Sequence, residues 1–446
     1  MQDGGLKRNF VESRWLLLLL IVASALATFH IYGNHLNALP IRSDGFGYYA
    51  YLPSVFIDHD LSLSSARNNI PFGQLHNYGI LLSPKTGRYI DKYAIGTAVL
   101  QAPFFLVAHA LSGPLGFSPN GYSTPYQVAN VASAVFYLCL GVYFLYSSCR
   151  VLHSRLISTA SCVLIVFATN VFHYATYDAS FSHIYQFFLS SLCLWLGMSY
   201  RTAINRQQLL ICIAFGLVVG MITLTRLTDA IMIIFPFVMI CGDWIDNRDT
   251  KKLILQIGIV GSLACIITFP QLCYLKHVTG RWTINAYAAT EEAGNFSWLH
   301  PEINNFLFSL RKGAFFWSPI LLASLLELFW VMRQRQLRWL SIGSATVITL
   351  QIYICSSWYF WAFGGSYGSR PMVDIAPLFV IPLSLLISRL AKTRLKTLWL
   401  TTAATLLFVN IALMYSYWHQ YIPFDGTNLD ILLRLPNKLL GTTGTQ

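Results

Sequence analysis

The chain has 446 residues, of which 55% are apolar and 11% are charged, whereas about 25% of the residues in an average soluble domain are charged. Its mean hydropathy is +0.54, and a soluble domain of this size could not bury so much apolar surface. The composition therefore excludes a soluble globule, a disordered chain and a coiled coil. A net charge of +12 would suit a nucleic-acid partner, but the basic residues lie in short clusters between apolar runs, which is typical of membrane topology. The sequence predicts an all-α polytopic membrane protein with no nucleic-acid partner.

The apolar runs predict how often the chain crosses the bilayer. A spanning helix needs about 20 mostly apolar residues. Besides the eleven runs given in the next sentence, the run at residues 94–111 is ambiguous because it is short and contains Pro103 and His109. Eleven runs meet or nearly meet the requirement: residues 15–32, 126–148, 157–175, 180–200, 208–225, 228–242, 253–275, 314–332, 338–357, 371–388 and 397–418.

Basic clusters decide whether residues 94–111 cross the membrane. If this run does not cross and the N-terminus is cytoplasmic, the five basic clusters at 150–155, 201–206, 248–252, 333–338 and 389–396 face the cytoplasm, as the positive-inside rule requires. If it does cross, all those clusters face outward. The prediction is therefore eleven spans, N-terminus in and C-terminus out, in one transmembrane domain over residues 1–418. The hydrophilic parts then lie outside: a first loop at 33–125 with juxtamembrane helices near 46–57 and 94–111, a second loop at 276–313, and a tail at 419–446.

Ionisable residues gather near the predicted outer ends of several helices, where charge is less costly than at mid-membrane. A transporter would more often carry such charges at the midplane. Two of the acids follow an arginine by three or four residues, so pairing along the helix is their simplest role. The residues are Asp44, Asp178, His183, Arg226, Asp229, Arg370 and Asp374.

Asp44 precedes an aromatic stretch directly after the first span. This stretch suits a helix that lies in the membrane interface. Asp44, with Tyr48, Tyr49 and Ala50 behind it, resembles the acidic first-loop motif of the GT-C glycosyltransferases. The resemblance is strongest to the bacterial branch of the protein-mannosyltransferase and aminoarabinose-transferase group, of glycosyltransferase family 39 type.

Four later stretches resemble motifs of that group and occur in the same order. Two positions depart from the family pattern: Gly45 stands where a second acid is usual, and Leu227 stands where a proline is usual. The first departure puts a metal-assisted site in doubt. The stretches are KYAIGTAVLQAPFF at 92–105, TNVFHYATYDASFSH at 169–183, LTRLTD at 224–229 and GGSYGSRP at 364–371.

The resemblance implies an inverting enzyme that moves a hexosyl or pentosyl group from a polyprenyl-phosphate donor to a glycan, lipid or protein acceptor. It implies a site on the periplasmic side of a bacterial inner membrane. Asp44 is then the catalytic base, and Arg226 and Arg370 hold the leaving phosphate. The remaining candidates for binding substrate are Tyr48, Tyr49, Lys92, Asp178, His183 and Tyr367.

Simpler roles remain open for most of these residues. Asp44 would also serve as an N-cap, and arginines at helix ends often only anchor the helix in the interface. Asp58 and Asp60 form an Asp-x-Asp pair that would suit a divalent cation, although capping the next turn is the simpler role. No cofactor is firmly implied.

Two other classes of function stay open at this point. A lipid-linked glycan polymerase or ligase would share the topology and the outer arginines but need no carboxylate base in the first loop. A transporter or flippase would keep its function when Asp44 becomes Asn.

Overall fold

The computed structural model describes residues 3–33, 39–70, 74–284, 286 and 296–440. Within these ranges the chain forms nineteen α-helices and one two-stranded antiparallel sheet. The helices, numbered in chain order, are α1 (Asp3–Gly33), α2 (Ser43–Phe56), α3 (Ser64–Asn68), α4 (Gly96–Ser112), α5 (Thr124–Arg150), α6 (Arg155–Phe167), α7 (Val171–Thr176), α8 (His183–Tyr200), α9 (Asn205–Thr225), α10 (Ile234–Asn247), α11 (Thr250–Thr279), α12 (Ile303–Phe308), α13 (Ala314–Trp317), α14 (Pro319–Val331), α15 (Arg338–Ser357), α16 (Pro371–Ile375), α17 (Val380–Leu390), α18 (Lys396–Trp418) and α19 (Leu429–Leu439). The strands are β1 (Ile80–Leu82) and β2 (Tyr89–Asp91), and 3-10 helices cover Leu75–Tyr78, Leu227–Ile233 and Ala376–Phe379.

Eight helical segments of the described chain are long and apolar enough to span a membrane. They match eight of the eleven predicted runs. They are Arg8–Gly33, Thr124–Arg150, Asn205–Thr225, Leu227–Asn247, Thr250–Thr279, Arg338–Ser357, Pro371–Leu390 and Lys396–Trp418.

The other three predicted runs form shorter or interrupted helices. Run 157–175 breaks between α6 and α7, and run 314–332 breaks between α13 and α14 because Pro319 starts a new helix. Run 180–200 becomes α8, which is rich in serine and starts only at His183. The structure therefore supports a polytopic membrane protein, while the count of eleven spans stays a prediction.

The predicted first outer loop contains the two expected helices. Residues 43–56 form α2 and residues 96–112 form α4, close to the predicted 46–57 and 94–111. Between them the chain forms the β1–β2 hairpin, which the all-α prediction did not include. In the predicted second loop, α11 extends to Thr279 and α12 follows, while residues 285 and 287–295 lie outside the described residues.

Helix α8 is the centre of the bundle, and nearly all its residues are buried. It packs between α5 and α9, and the short helix α16 lies against its start. Its apolar residues join those of α5, α6 and α17 in one large core. Because α2 and α16 both reach the N-terminal end of α8, polar side chains from distant segments meet there.

The orientation of the chain in the bilayer is our first testable prediction. We expect a cysteine at Asn120 to react with a membrane-impermeant maleimide added from outside, and a cysteine at Gln207 to react only after the membrane is permeabilised. Both positions are exposed in the protein, so a difference in labelling reports the side of the membrane. The reverse pattern would mean that residues 94–111 cross the bilayer.

Candidate functional site

The carboxylate of Asp44 joins three segments of the chain that are far apart in sequence. The Arg370 guanidinium donates to Oδ2 of Asp44 at 2.7 Å, and the Tyr93 hydroxyl donates to Oδ1 at 2.7 Å. The side chains of Asp44 and Arg370 are 26% and 16% exposed. This acid–arginine pair is therefore largely enclosed but still reachable by a ligand.

The surroundings of Asp44 keep its carboxylate charged. Burial by itself raises the pKa of Asp44, but the positive charge of Arg370, the Tyr93 hydroxyl and the Lys92 charge outweigh it. The pKa of Asp44 consequently lies below its ordinary value. A carboxylate that stays ionised near neutral pH can accept a proton from an approaching hydroxyl group.

The contacts of Asp44 do not support the N-cap alternative. The N-cap position of α2 is Arg42, whose side chain makes no capping hydrogen bond, and Asp44 is the second residue of the helix. Both carboxylate oxygens of Asp44 are hydrogen-bonded to other segments. Asp44 therefore faces the site instead of capping the helix.

Gly45 explains why the second acid of the family motif is missing here. A Cβ atom at this position would lie 1.8 Å from the Ser180 hydroxyl and 2.5 Å from its Cβ atom. Ser180 is itself held in place by donating to the Pro40 carbonyl at 2.8 Å. Helix α2 thus packs too closely on the segment before α8 to carry an acid at position 45, and a metal site built on adjacent acids does not fit around Asp44.

Arg226 forms the centre of a second polar cluster beside the first. Its guanidinium lies 3.1 Å from Oδ2 of Asp374 and 3.6 Å from Oδ2 of Asp229. Nδ1 of His183 lies 2.8 Å from the other oxygen of Asp374, and the Gln351 amide donates to Asp229 at 2.9 Å. The spacing predicts that Asp374 pairs with Arg370, but the Arg370 guanidinium donates to Asp44 and Asp374 pairs with Arg226.

Asp178 belongs to a third cluster, which anchors the start of α2. Arg42 donates to Oδ1 of Asp178 at 3.1 Å, and Nε2 of His173 lies 2.9 Å from Oδ2. The Trp418 indole donates to Nδ1 of His173 at 3.0 Å, so the ring proton sits on Nε2 and is donated to Asp178.

Both oxygens of Asp178 are therefore occupied. Burial by itself raises the pKa of Asp178, but the His173 hydrogen bond and the Arg42 charge lower it to about 2. Because Arg42 precedes α2 directly, we interpret Asp178 as a residue that helps to position Asp44.

The loop 364–370, which ends in Arg370, is held by hydrogen bonds from two buried side chains to its backbone. The buried Lys312 ammonium donates to the carbonyl groups of Ser366 and Phe424, and the Asn170 amide donates to those of Tyr367 and Ser369. These carbonyl contacts fix the loop conformation just before Arg370.

Tyr367 lies inside the bundle, away from the acid–arginine pair. It is completely buried, and its hydroxyl donates to the Asn410 side chain at 2.8 Å. This position suits an anchor for the loop better than a platform for a sugar.

The other predicted residues differ in how close they lie to Asp44. Tyr48 stacks against Tyr93 with ring centroids 4.4 Å apart, and the Lys92 ammonium lies 5.5 Å from the same ring. Tyr49 faces the opposite way and donates to the Gly121 carbonyl at 2.7 Å.

The Asp-x-Asp pair lies in the turns that follow α2. Asp58 accepts hydrogen bonds from the backbone and hydroxyl of Ser65, and Asp60 accepts one from the backbone of Ser62. These contacts are those of turn and capping residues.

Several residues of the site were not anticipated from the sequence. Tyr93 follows Lys92 directly in the segment 92–105, but the sequence pattern indicated only Lys92 as a candidate. Arg42 and His173 lie next to the predicted residues, and Lys312 lies in the second outer loop. For Tyr93 and His173 the weak signal was their place inside a recognised motif, and for Arg42 its place two residues before Asp44, whereas Lys312 had no such signal.

Tyr93 provides a test of the environment of Asp44. We expect Tyr93→Phe to raise the pKa of Asp44, because it removes a hydrogen bond to the charged form. The acid limb of the kcat/KM profile should then move to higher pH, since the base must be ionised to act. Tyr49→Phe is the matched control, because among the described residues its hydroxyl bonds to the Gly121 carbonyl and not to Asp44. Identical acid limbs in the two variants would contradict a role for Asp44 as the titrating base.

Comparison with known proteins supports the fold. No family model and no curated protein matches the sequence. Among solved structures, the chain resembles the archaeal oligosaccharyltransferase AglB from Archaeoglobus fulgidus in complex with an inhibitory peptide and a dolichol-phosphate, with a TM-score of 0.53 and 10% identity over 94% of this chain and 57% of that one.

A second structure of similar likeness is the Archaeoglobus fulgidus oligosaccharyltransferase tethered with an acceptor peptide that contains the NVT sequon. Its TM-score is 0.51 at 12% identity, over 91% of this chain and 55% of that one. The chain thus spans little more than half the length of these proteins. At such low identity the likeness concerns the fold alone, and it shows that the chain shares the fold of the matched part of these oligosaccharyltransferases.

Proposed function

We propose that the protein is a membrane glycosyltransferase that moves a sugar from a polyprenyl-phosphate donor to an acceptor outside the membrane. The observation that carries this proposal is the Asp44–Arg370 pair, 2.7 Å apart and partly exposed at the end of the bundle. One member of the pair can accept a proton and the other can bind a phosphate. The dolichol-phosphate bound to one structural neighbour supports a lipid-linked donor of the same class.

In the proposed reaction, Asp44 accepts the proton of the acceptor hydroxyl as its oxygen attacks the anomeric carbon. The bond between that carbon and the phosphate oxygen breaks, and its electron pair leaves with polyprenyl phosphate. Attack opposite the leaving group inverts the anomeric centre. Asp44 afterwards returns its proton to water.

The two arginines are suited to different tasks. Arg370 pairs with a single carboxylate and is partly exposed, so a phosphate can share its guanidinium. Arg226 is already enclosed by Asp374 and Asp229. We propose that Arg370, with Lys92 nearby, binds the leaving phosphate directly. Arg226 stabilises the negative charge of that phosphate without contacting it.

Finer features of the proposal rest on the motifs in the sequence. We assign the protein to the bacterial branch of the protein-mannosyltransferase and aminoarabinose-transferase group, in an inner membrane with the site facing the periplasm. We propose that Tyr48, which packs on Tyr93, and His183, which bonds to Asp374, help to orient the substrates. The sugar is a hexose or a pentose, and the acceptor is a glycan, a lipid or a protein.

The experiment that tests this function uses the purified chain in lipid bilayers. It is incubated with a panel of polyprenyl-phosphate sugars and with membrane extract as a source of acceptors. Release of polyprenyl phosphate by the wild-type protein, and its loss in Asp44→Asn, is the expected result. A flippase would move the donor across the bilayer without cleaving it. Absence of release with every donor would contradict the proposal.

A further inference from the structure

The C-terminal helix α19 carries an apolar side that the rest of the described chain does not cover. Leu429 is 57% exposed, Leu433 69%, Leu439 41% and Leu440 75%. The opposite side carries polar residues, among which Asp430 and Arg434 form an exposed ion pair at 3.0 Å. The helix is therefore amphipathic, and these four leucines are exposed.

This helix is not expected to be stable in water by its own contacts. It has eleven residues and contains Pro436, and isolated helices shorter than about 12–15 residues are marginal in water. Asn428 caps its first turn by accepting from the backbone of Ile431 at 3.1 Å. Leu435 is its only fully buried residue within the described chain. A second apolar surface that covers the leucines would stabilise it.

The position of α19 indicates which surface is available. The chain leaves the long apolar helix α18 at Trp418 and is then tied to the end of the bundle. Arg311 donates to both carboxylate oxygens of Asp425 at 2.8 and 2.6 Å, and Lys312 donates to the Phe424 carbonyl at 2.7 Å. Helix α19 therefore starts close to the level at which α18 leaves the bilayer.

The neighbouring surface of α18 already requires lipid. Leu398, Leu400 and Phe408 of this spanning helix are 62%, 56% and 72% exposed, so its outward side faces acyl chains. The leucines of α19 can meet the same apolar phase at its edge. Arg434 and Lys438 on the polar side suit phospholipid phosphates.

We propose that α19 lies in the membrane interface, with Leu429, Leu433 and Leu440 in the acyl boundary and Arg434 and Lys438 among the headgroups. Its partner is the lipid surface of the leaflet in which α18 ends. This inference does not depend on the proposed glycosyltransferase activity. It also explains why a segment predicted as a polar tail contains so many leucines.

The test compares two adjacent positions of equal exposure. Leu433 is 69% exposed, and so is the side chain of Arg434, but the two point in different directions around the helix. Each is replaced by a nitroxide-labelled cysteine in the full chain, in a background without native cysteines, reconstituted in phosphatidylethanolamine and phosphatidylglycerol vesicles. Collision rates with oxygen, which concentrates in acyl chains, and with a water-soluble nickel chelate are then measured.

We expect the label at Leu433 to collide preferentially with oxygen and the label at Arg434 preferentially with the nickel chelate. Preferential collision with the chelate at both positions would place the helix in water and overturn the proposal. Protection of Leu433 from both reagents, together with dipolar broadening between labels, would mean that a second copy covers the leucines and would also overturn it.

Discussion

Asp44→Asn should lower sugar transfer by about two to four decades, which is the usual contribution of a general base, while donor binding persists. Asparagine keeps the size of the side chain, and its amide oxygen can still accept from the Tyr93 hydroxyl. It lacks the negatively charged carboxylate that takes the proton from the acceptor hydroxyl. The measurements are turnover with saturating donor and the dissociation constant of the donor.

A purely structural role for Asp44 predicts a different pattern. If Asp44 serves only to hold Arg370, the substitution should weaken donor binding and leave turnover at saturating donor nearly unchanged. Asp58→Asn and Asp60→Asn are controls, because within the described chain these acids accept hydrogen bonds from the serines of a turn. Loss of activity in Asp60→Asn with retention in Asp44→Asn would shift the site to the Asp-x-Asp pair.

Arg370→Ala should weaken donor binding by roughly ten- to a hundredfold, since a hydrogen bond to a charged group contributes about 1.5–3 kcal/mol. Lysine should restore only part of the affinity, because it lacks the two parallel donors of the guanidinium. Donor binding to the purified variants in lipid bilayers measures both effects. Arg206→Ala is the control, because this arginine is exposed at the start of α9, beside Gln207 on the side predicted to face the cytoplasm.

Arg226→Ala should behave differently from Arg370→Ala. Its removal leaves Asp374 and Asp229 close together without the guanidinium that lies between them. Breaking a buried ion pair in this way costs about 3–5 kcal/mol, so we expect loss of thermal stability to dominate. Equal donor affinities in wild type, Arg226→Ala and Arg370→Ala would contradict phosphate binding by either arginine.

The sequence by itself determined that the chain is a polytopic membrane protein. It also indicated that the ionisable residues of the candidate site gather near the ends of helices. Hydropathy and charge asymmetry are local properties that bilayer insertion reads directly, so the apolar runs predict the eight long helices well. The apolar runs were a poor guide to the length of a helix where a proline or small polar residues interrupt it, as at Pro319. The sequence also indicated Asp44, in the predicted first loop, as a candidate, because an aromatic stretch follows it.

Only the tertiary structure decided which acid meets which arginine. Spacing along the chain suggested Arg370 with Asp374, but the Arg370 side chain is drawn to a carboxylate of another segment. It instead pairs with Asp44, 326 positions away. Asp374 in turn pairs with Arg226 and His183 because α16 packs against the start of α8. The direction of a side chain depends on where its helix begins and what that helix packs against, and neither is encoded in the spacing of two residues.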